Sequence, residues 1–233
     1  MPEPVAPTQA NMTSSTDVRN LAERVTEQIR QRIVHGEFAP GQRLSEAALS
    51  ESLQISRNTL RETFRVLTKE GLLKHEPNRG VSVAIPSIAA IIDIYRVRRM
   101  IECQAIAQAY PSHPARKHLR EAVETGLRCR DRGDWQGAGT ANMEFHMAIV
   151  ELADSERLNV MFSHLLAELR LAFGLLQDPE FLHGPYVEMN QHILQLFESG
   201  KLAECAAALN DYLAQSERIV LSVCARHPIF KGR

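Results

Sequence analysis

The segment GLLKHEPNRGVSVA, residues 71–84, limits the fold more than any other stretch of the chain. Two short extended runs flank a Pro-Asn-Arg-Gly turn, which is the pattern of a β-hairpin. Helical spacing governs the residues on either side of it. Leu21, Val25, Ile29 and Ile33 recur every fourth residue and draw an apolar stripe along a helix that ends near Gly36. After Pro86 the pattern is helical to the end, with no strand alternation and no further Gly-rich loop. The expected fold class is mainly α, with one small hairpin between helical segments.

The helices before the hairpin carry chemistry. Ser45 is placed to cap a short helix in SEAALSESL, whose Ala48, Leu49 and Leu53 are expected to face inward. Ser56 can cap the next helix, which runs to about Glu70. Leu60, Phe64 and Leu67 form its inner face, and Arg57, Asn58, Arg61 and Arg65 gather on another. Two short helices joined by a tight turn, the second exposing Arg and Asn near its start, read as a helix-turn-helix. An Arg can pair bidentately with guanine O6 and N7 or hold a phosphate. An isolated basic helix would more simply be a solvated face, but the hairpin that follows reads as a wing. Arg79 stands at its tip, and Gly80 permits close backbone approach to a groove or phosphate.

Charge and length agree with two units of different character. The chain has 233 residues and a net charge of -1. Residues 19–80 hold eleven Lys plus Arg against eight Asp plus Glu, so the rest carries -4. A basic module joined to an acidic one suits an anionic partner for the first. Hydrophobic residues make up 44%, enough to bury two cores. Cys103, Cys129, Cys205 and Cys224 are widely spaced with no C-x-x-C pair, and there is no secretory leader pattern, so a reducing cytoplasmic setting is expected. No apolar run is long enough to span a bilayer, so no membrane partner is expected.

The expected organisation is a disordered lead-in over residues 1–16, a winged helix-turn-helix over 17–85, and a helical bundle over 86–233. The bundle opens with IAAIIDIYRVRRMIECQAIAQAY and continues with helices at about 114–132, 134–153, 156–175, 184–199 and 201–224. Pro114 suits a helix start, and Gly133, Gly174 and Gly200 fall where breaks are wanted.

Gly36, Pro40-Gly41, Leu44, Leu49, Ser56-Arg57, Arg61-Glu62, Leu67, Gly71-Leu72 and Arg79-Gly80 keep one register over some sixty positions. In that register the first half resembles the winged helix-turn-helix of the GntR family of bacterial transcription regulators. The resemblance implies that Arg57, Asn58, Thr59 and Arg61 meet bases and phosphates in the major groove of an operator, with Arg79 and Gly80 serving the wing. Arg65 is added from helix geometry alone. Two departures stand out: Ala47, where relatives of the fatty-acid regulator type often place an Arg, and Asn58-Thr59, where many read Thr-Pro.

The second half resembles the FCD ligand-binding domain of the FadR subfamily, in its shorter six-helix, vanillate-regulator-like form. IYRVRRMIE matches the opening Arg-x-x-x-Glu pattern at Arg98 and Glu102, and NMEFHMAIVELADSERL matches an Asp-x-x-Phe-His segment except at its first position. In many such relatives one Asp and three His hold a divalent metal, against which a small carboxylate effector binds. Matching residue by residue gives Asn142, His146, His192 and Tyr212. An amide replaces the Asp, and a phenol with a pKa near about 10 replaces the last His. Either His alone reads as a core histidine; the register raises the pair above that.

Two readings of this cavity stand at the level of sequence. His146 and His192 could hold zinc or nickel if water, Glu or effector completes the shell. Alternatively Asn142, His146, His192 and Tyr212 hydrogen-bond the effector directly in a metal-free pocket, which fits the substitutions better. Arg98 suits a carboxylate because a guanidinium stays charged when buried, with Glu102 one turn on as its alternative partner. Arg170 could reach the same cavity or form a surface salt bridge. The resemblance implies a ligand-responsive regulator, acting most often as a repressor, whose homodimer reads a pseudo-palindromic operator. One rival reading is a constitutive DNA-binding protein with a closed dimerisation bundle. The other is a metal-dependent enzyme, which leaves the wing unexplained and lacks a base beside the two His.

Overall fold

The computed structural model describes residues 15–175, 179–226 and 230. Most of the expected lead-in lies outside the described residues, but Ser15 and Thr16 already belong to α1 (Ser15–Val34). The winged unit continues with β1 (Arg43–Leu44), α2 (Glu46–Ser52), α3 (Arg57–Lys69), β2 (Leu73–Glu76) and β3 (Gly80–Val83). The expected hairpin is β2 and β3. A third strand joins it, because β1 pairs antiparallel with β3 and gives the sheet order β1-β3-β2. Asn78 and Gly80 take left-handed φ values of 62° and 80°, which the tight turn between β2 and β3 requires.

Caps fix where the helices begin. Ser45 Oγ accepts from the Ala48 N–H and Ser56 Oγ from the Thr59 N–H, so α2 and α3 start where the serines stand. Such caps contribute about 1 kcal/mol each. Leu49 is buried as expected, but Ala48 is exposed; its neighbour Ser50 takes the inward position. Leu60, Phe64 and Leu67 of α3 pack on Val25, Ile29 and Ile33 of α1 and on Leu73, Val81 and Val83 of the sheet. The opposite face of α3 is thereby left to solvent.

The bundle is built from α4 (Ile88–Gln108), α5 (Arg116–Asp131), α6 (Trp135–Glu151), α7 (Glu156–Phe173), α8 (Pro179–Glu198) and α9 (Leu202–Arg226). Helix α8 begins five residues before its expected start, since Gly184-Pro185 lies within the helix instead of opening it. Helix α6 is central and packs against α4, α5, α7 and α8. Its buried residues fall on every side, which explains why it reads as small and apolar: Ala138, Gly139, Ala141, Phe145, Ala148 and Ile149 all lie inside. The two units also share an element. Ala167 and Leu171 of α7 complete the core of the winged unit, while Leu166, Leu169 and Ala172 of the same helix belong to the bundle core.

Candidate nucleic-acid interface and effector cluster

On α3, Arg57, Asn58, Arg61 and Arg65 are all exposed on the face turned away from the core. Arg61 donates from Nε to Glu46 Oε2 of α2 at 2.9 Å, and Arg65 is paired with Glu62. Both pairs are exposed, so they orient the guanidinium groups at little cost to giving them up for a phosphate or base. Thr59 departs from expectation. It is buried, its hydroxyl lies 2.8 Å from Ser56 Oγ, and its N–H is held by the same cap, so it belongs to the start of the helix and not to the outer face.

Beside the expected Arg79, the wing adds two cations, Arg43 and Lys74. Arg43 and Lys74 both stand opposite Ser82, one on each side of β3, so they lie in one row across the sheet. Arg79 is at the turn with its side chain 74% exposed. Lys74 donates to Glu76 at 2.7 Å, and Lys74, Arg79 and Arg43 together hold the Glu76 carboxyl below its ordinary range. Gly80 has no atom within 4 Å of where a Cβ would sit, so its open space is free for close approach. Only the pairing of β1 with β3 brings Arg43 here, and a two-residue strand has no period to read.

Inside the bundle, four helices bring polar side chains to one place. Arg98 donates from Nε to Glu102 Oε1 at 2.7 Å, and both residues of α4 are fully buried. Glu102 Oε2 lies 2.5 Å from His146 Nδ1 on α6. His146 Nε2 is 3.0 Å from the Tyr212 hydroxyl of α9, which is 2.9 Å from Asn142 Oδ1. Asn190 of α8 donates to that same Oδ1 at 2.7 Å. Two buried polar atoms in the cluster have no partner, Arg98 Nη2 and Asn190 Oδ1.

Burial and charge set the protonation states. Burial works against the Glu102 carboxylate, but Arg98 and His146 outweigh it and hold its pKa below the usual carboxylate range. Burial lowers the pKa of His146, with Arg98 pushing the same way and Glu102 opposing. Neutral His146 therefore donates from Nδ1 to the Glu102 carboxylate and leaves Nε2 as an acceptor facing the Tyr212 hydroxyl. Tyr212, whose own ionisation is driven far up by burial, has one proton for two acceptors, His146 and Asn142. If His146 gains a proton, its Nε2–H donates to the Tyr212 oxygen and the hydroxyl turns to Asn142. The protonation state of one imidazole thus decides whether His146 competes with Asn142 for the Tyr212 proton.

His192 is not part of this cluster. It is exposed, beside Glu188 and Met189, in a surface groove bordered by Ala208 and Gln215 of α9. Asn190, two positions earlier, faces inward in its place. The donors at the cluster are then one imidazole, two amides and a phenol beside a carboxylate already bound to Arg98. That set, with a guanidinium next to it, does not fit a divalent cation. Among the described residues no group of three or more His, Cys, Asp or Glu is placed to hold a metal ion. The expected pairing of His146 with His192 as metal ligands is corrected accordingly. Arg98 is likewise paired with Glu102 through Nε, and its Nη2 is left without a partner. Arg170 lies in neither expected place; it is buried at the junction of the two units.

The helix-turn-helix, three-stranded wing and six-helix bundle match two family models. Residues 21–83 match the bacterial regulatory proteins of the gntR family, and residues 93–215 match the FCD domain. The chain belongs to the GntR family. Its FCD half places it with the FadR-like regulators. A crystal structure of a GntR regulator from Rhodococcus sp. RHA1 is 33% identical with a TM-score of 0.82, covering 87% of this chain and 98% of that one. The Nta operon transcriptional regulator of Aminobacter aminovorans is 29% identical over 174 residues, 73% of this chain and 80% of the relative. The HTH-type transcriptional regulator YdhC of Bacillus subtilis is 27% identical over 143 residues, and the match spans 63% of its length. As a GntR regulator the chain is a DNA-binding transcription factor. Among the described residues no helix is long and apolar enough to cross a membrane.

Proposed function

We propose that this GntR regulator is a ligand-responsive repressor. Its homodimer binds a pseudo-palindromic operator through α3 and the wing, and a small organic acid received in the bundle releases it. The observation that carries the reading is the buried cluster of Arg98, Glu102, His146, Asn142, Asn190 and Tyr212. A polar network in an apolar core is costly unless every group is satisfied. Here Arg98 Nη2 and Asn190 Oδ1 are a donor and an acceptor left over, and a carboxylic acid or hydroxy acid supplies the complement to both.

Arg98, Asn142, His146, Asn190 and Tyr212 are the proposed effector contacts, with Glu102 positioning Arg98 and His146. They lie on α4, α6, α8 and α9, so a ligand that engages them changes how these helices sit on one another. Helix α7 packs on α6 and also completes the core of the winged unit. It offers a direct route to the orientation of α3, beside the linker at residues 85–87. Twofold symmetry of the protein then sets the spacing of two half-sites, which a shift of the winged units spoils.

The test begins by selecting operator sequences from random duplexes with the purified full chain. A panel of small carboxylic acids is then titrated against the protein–DNA complex, with wild type compared to Tyr212→Phe and Arg98→Lys. Release by at least one acid, lost in both variants while operator affinity is kept, is the expected result. A complex indifferent to every acid would instead favour constitutive binding with a closed bundle.

A further inference from the structure

A second site lies where the two units meet. The turn after α1 sits over the ends of α6, α7 and α8 and leaves a cleft of about 200 Å³. Gly36 and Pro40 line it from the winged unit; Gln136, Arg170, Phe173 and His183 line it from the bundle. No Asp or Glu is among its described lining residues. Arg170 is 7% exposed and makes no ion pair among the described residues. Burial pulls its pKa down. A guanidinium remains protonated under such conditions, so the buried charge lacks a counter-ion among the described residues.

The surroundings are shaped for that guanidinium. A Cβ on Gly139 of α6 would stand 2.6 Å from Arg170 Nη1 and 2.6 Å from His183 Nε2, so the absent side chain is what lets the two groups converge. His183 is 5% exposed, its Nδ1 has no partner, and Phe173 packs edge-on against its ring at 6.0 Å between centroids. Burial and the Arg170 charge push its pKa down to about 3, so near neutral pH it is an uncharged donor and acceptor. Above them Gly36 takes a left-handed φ of 75°, and its missing Cβ would lie 3.2 Å from Arg170 Nη2. The donor is presented, the space beside it is open, and no carboxylate of the described residues lines it.

We propose that this cleft is an anion site, distinct from the cluster in the bundle, which takes a small molecule through one carboxylate or phosphate group. Arg170 grips the oxyanion with its planar fork, and His183 adds an N–H donor. The volume is below the roughly 300–1,000 Å³ of pockets for drug-sized ligands, so the occupant is small. An anion held there ties the turn at residues 36–40 to α7 and fixes the winged unit on the bundle. Nothing in this depends on the effector reading of the His146 cluster.

The chain has one tryptophan, Trp135, next to Gln136 and 3.9 Å from where a Cβ on Gly184 would sit, so its emission reports on this corner. Full-length protein is titrated with inorganic phosphate and with acetate, and with sodium chloride at matched ionic strength as reference. Wild type is expected to show a saturable emission change and a rise in Tm with at least one of the two oxyanions and not with chloride. Arg170→Gln is expected to weaken that binding by about tenfold or more, whereas His146→Ala keeps it. Phosphate alone, or acetate alone, as the active probe names the class of group recognised. If Arg170→Gln does not fold, Gly139→Ala answers the same question, because its methyl displaces both Arg170 and His183 while leaving the charge in place. Responses to oxyanions equal to those of chloride, or undiminished binding in the folded variant, would overturn the proposal.

Discussion

Arg57 and Arg61 reach the outer face of α3 from its first two turns, which is where a recognition helix meets base edges. Replacing either by Ala is expected to cost about 1–3 kcal/mol in operator affinity and to relax preference at one position of the site. Arg65 lies further along the helix, where a phosphate is the nearer target. Arg65→Ala should weaken all sequences alike and reduce the salt slope of binding by about one, as fluorescence anisotropy at several salt concentrations would show. Thr59→Ala should behave differently. It removes the contact with Ser56 and costs about 1 kcal/mol of stability in a denaturant titration, while operator preference is retained. The exposed arginines were legible in sequence because three- and four-residue spacing puts them on one face. Thr59 was not, since capping and base contact use the same positions at a helix start. His192 shows the same limit more sharply. A helix turns about 100° per residue, so a register two residues off exchanges the inward Asn190 for a side chain on the opposite face.

At the scale of elements, α7 is where the two units cease to be separable. Sequence periodicity located this helix almost to the residue and predicted the break after Pro86, but period alone says only that a helix has an apolar face, not what covers it. Helix α7 is apolar on two faces because it serves two cores, and its partner α1 is more than a hundred positions away. Within the winged unit Arg30 donates to both carboxylate oxygens of Glu70 at 2.8 Å, and His164 of α7 lies 4.0 Å from the same carboxylate. Leu171 is 1% exposed and packs in the winged core. Leu171→Ala is expected to destabilise by about 2–5 kcal/mol, as for other buried leucines. Because the loss falls on the winged core, calorimetry is expected to show one transition for wild type and two for the variant, with the winged unit melting first. A single transition at a uniformly lower temperature would mean that the units remain one cooperative body without this contact.

For the whole molecule, the proposed acid effector has to be read by a cluster whose charges already cancel. Arg98 carries one positive charge, Glu102 one negative, and His146 is neutral because burial lowers its pKa. A monocarboxylate entering the cluster adds a negative charge to a site of low dielectric, which favours the imidazolium form of His146. Effector binding then takes up a proton, and the imidazolium redirects the Tyr212 hydroxyl toward Asn142 as described above. The sign follows from the two pKa values of His146. Free, it titrates below its ordinary value of about 6.5; bound, it titrates higher. Between these values the bound protein holds one more proton than the free protein, so effector affinity rises by up to about tenfold for each unit fall in pH and levels off outside that window. Calorimetric titration in buffers of different ionisation enthalpy measures the proton count directly, and operator release at several pH values measures the affinity. An uptake near one proton per acid, together with that slope, is the expected outcome. An affinity independent of pH with no proton taken up would mean that the bundle recognises an uncharged ligand.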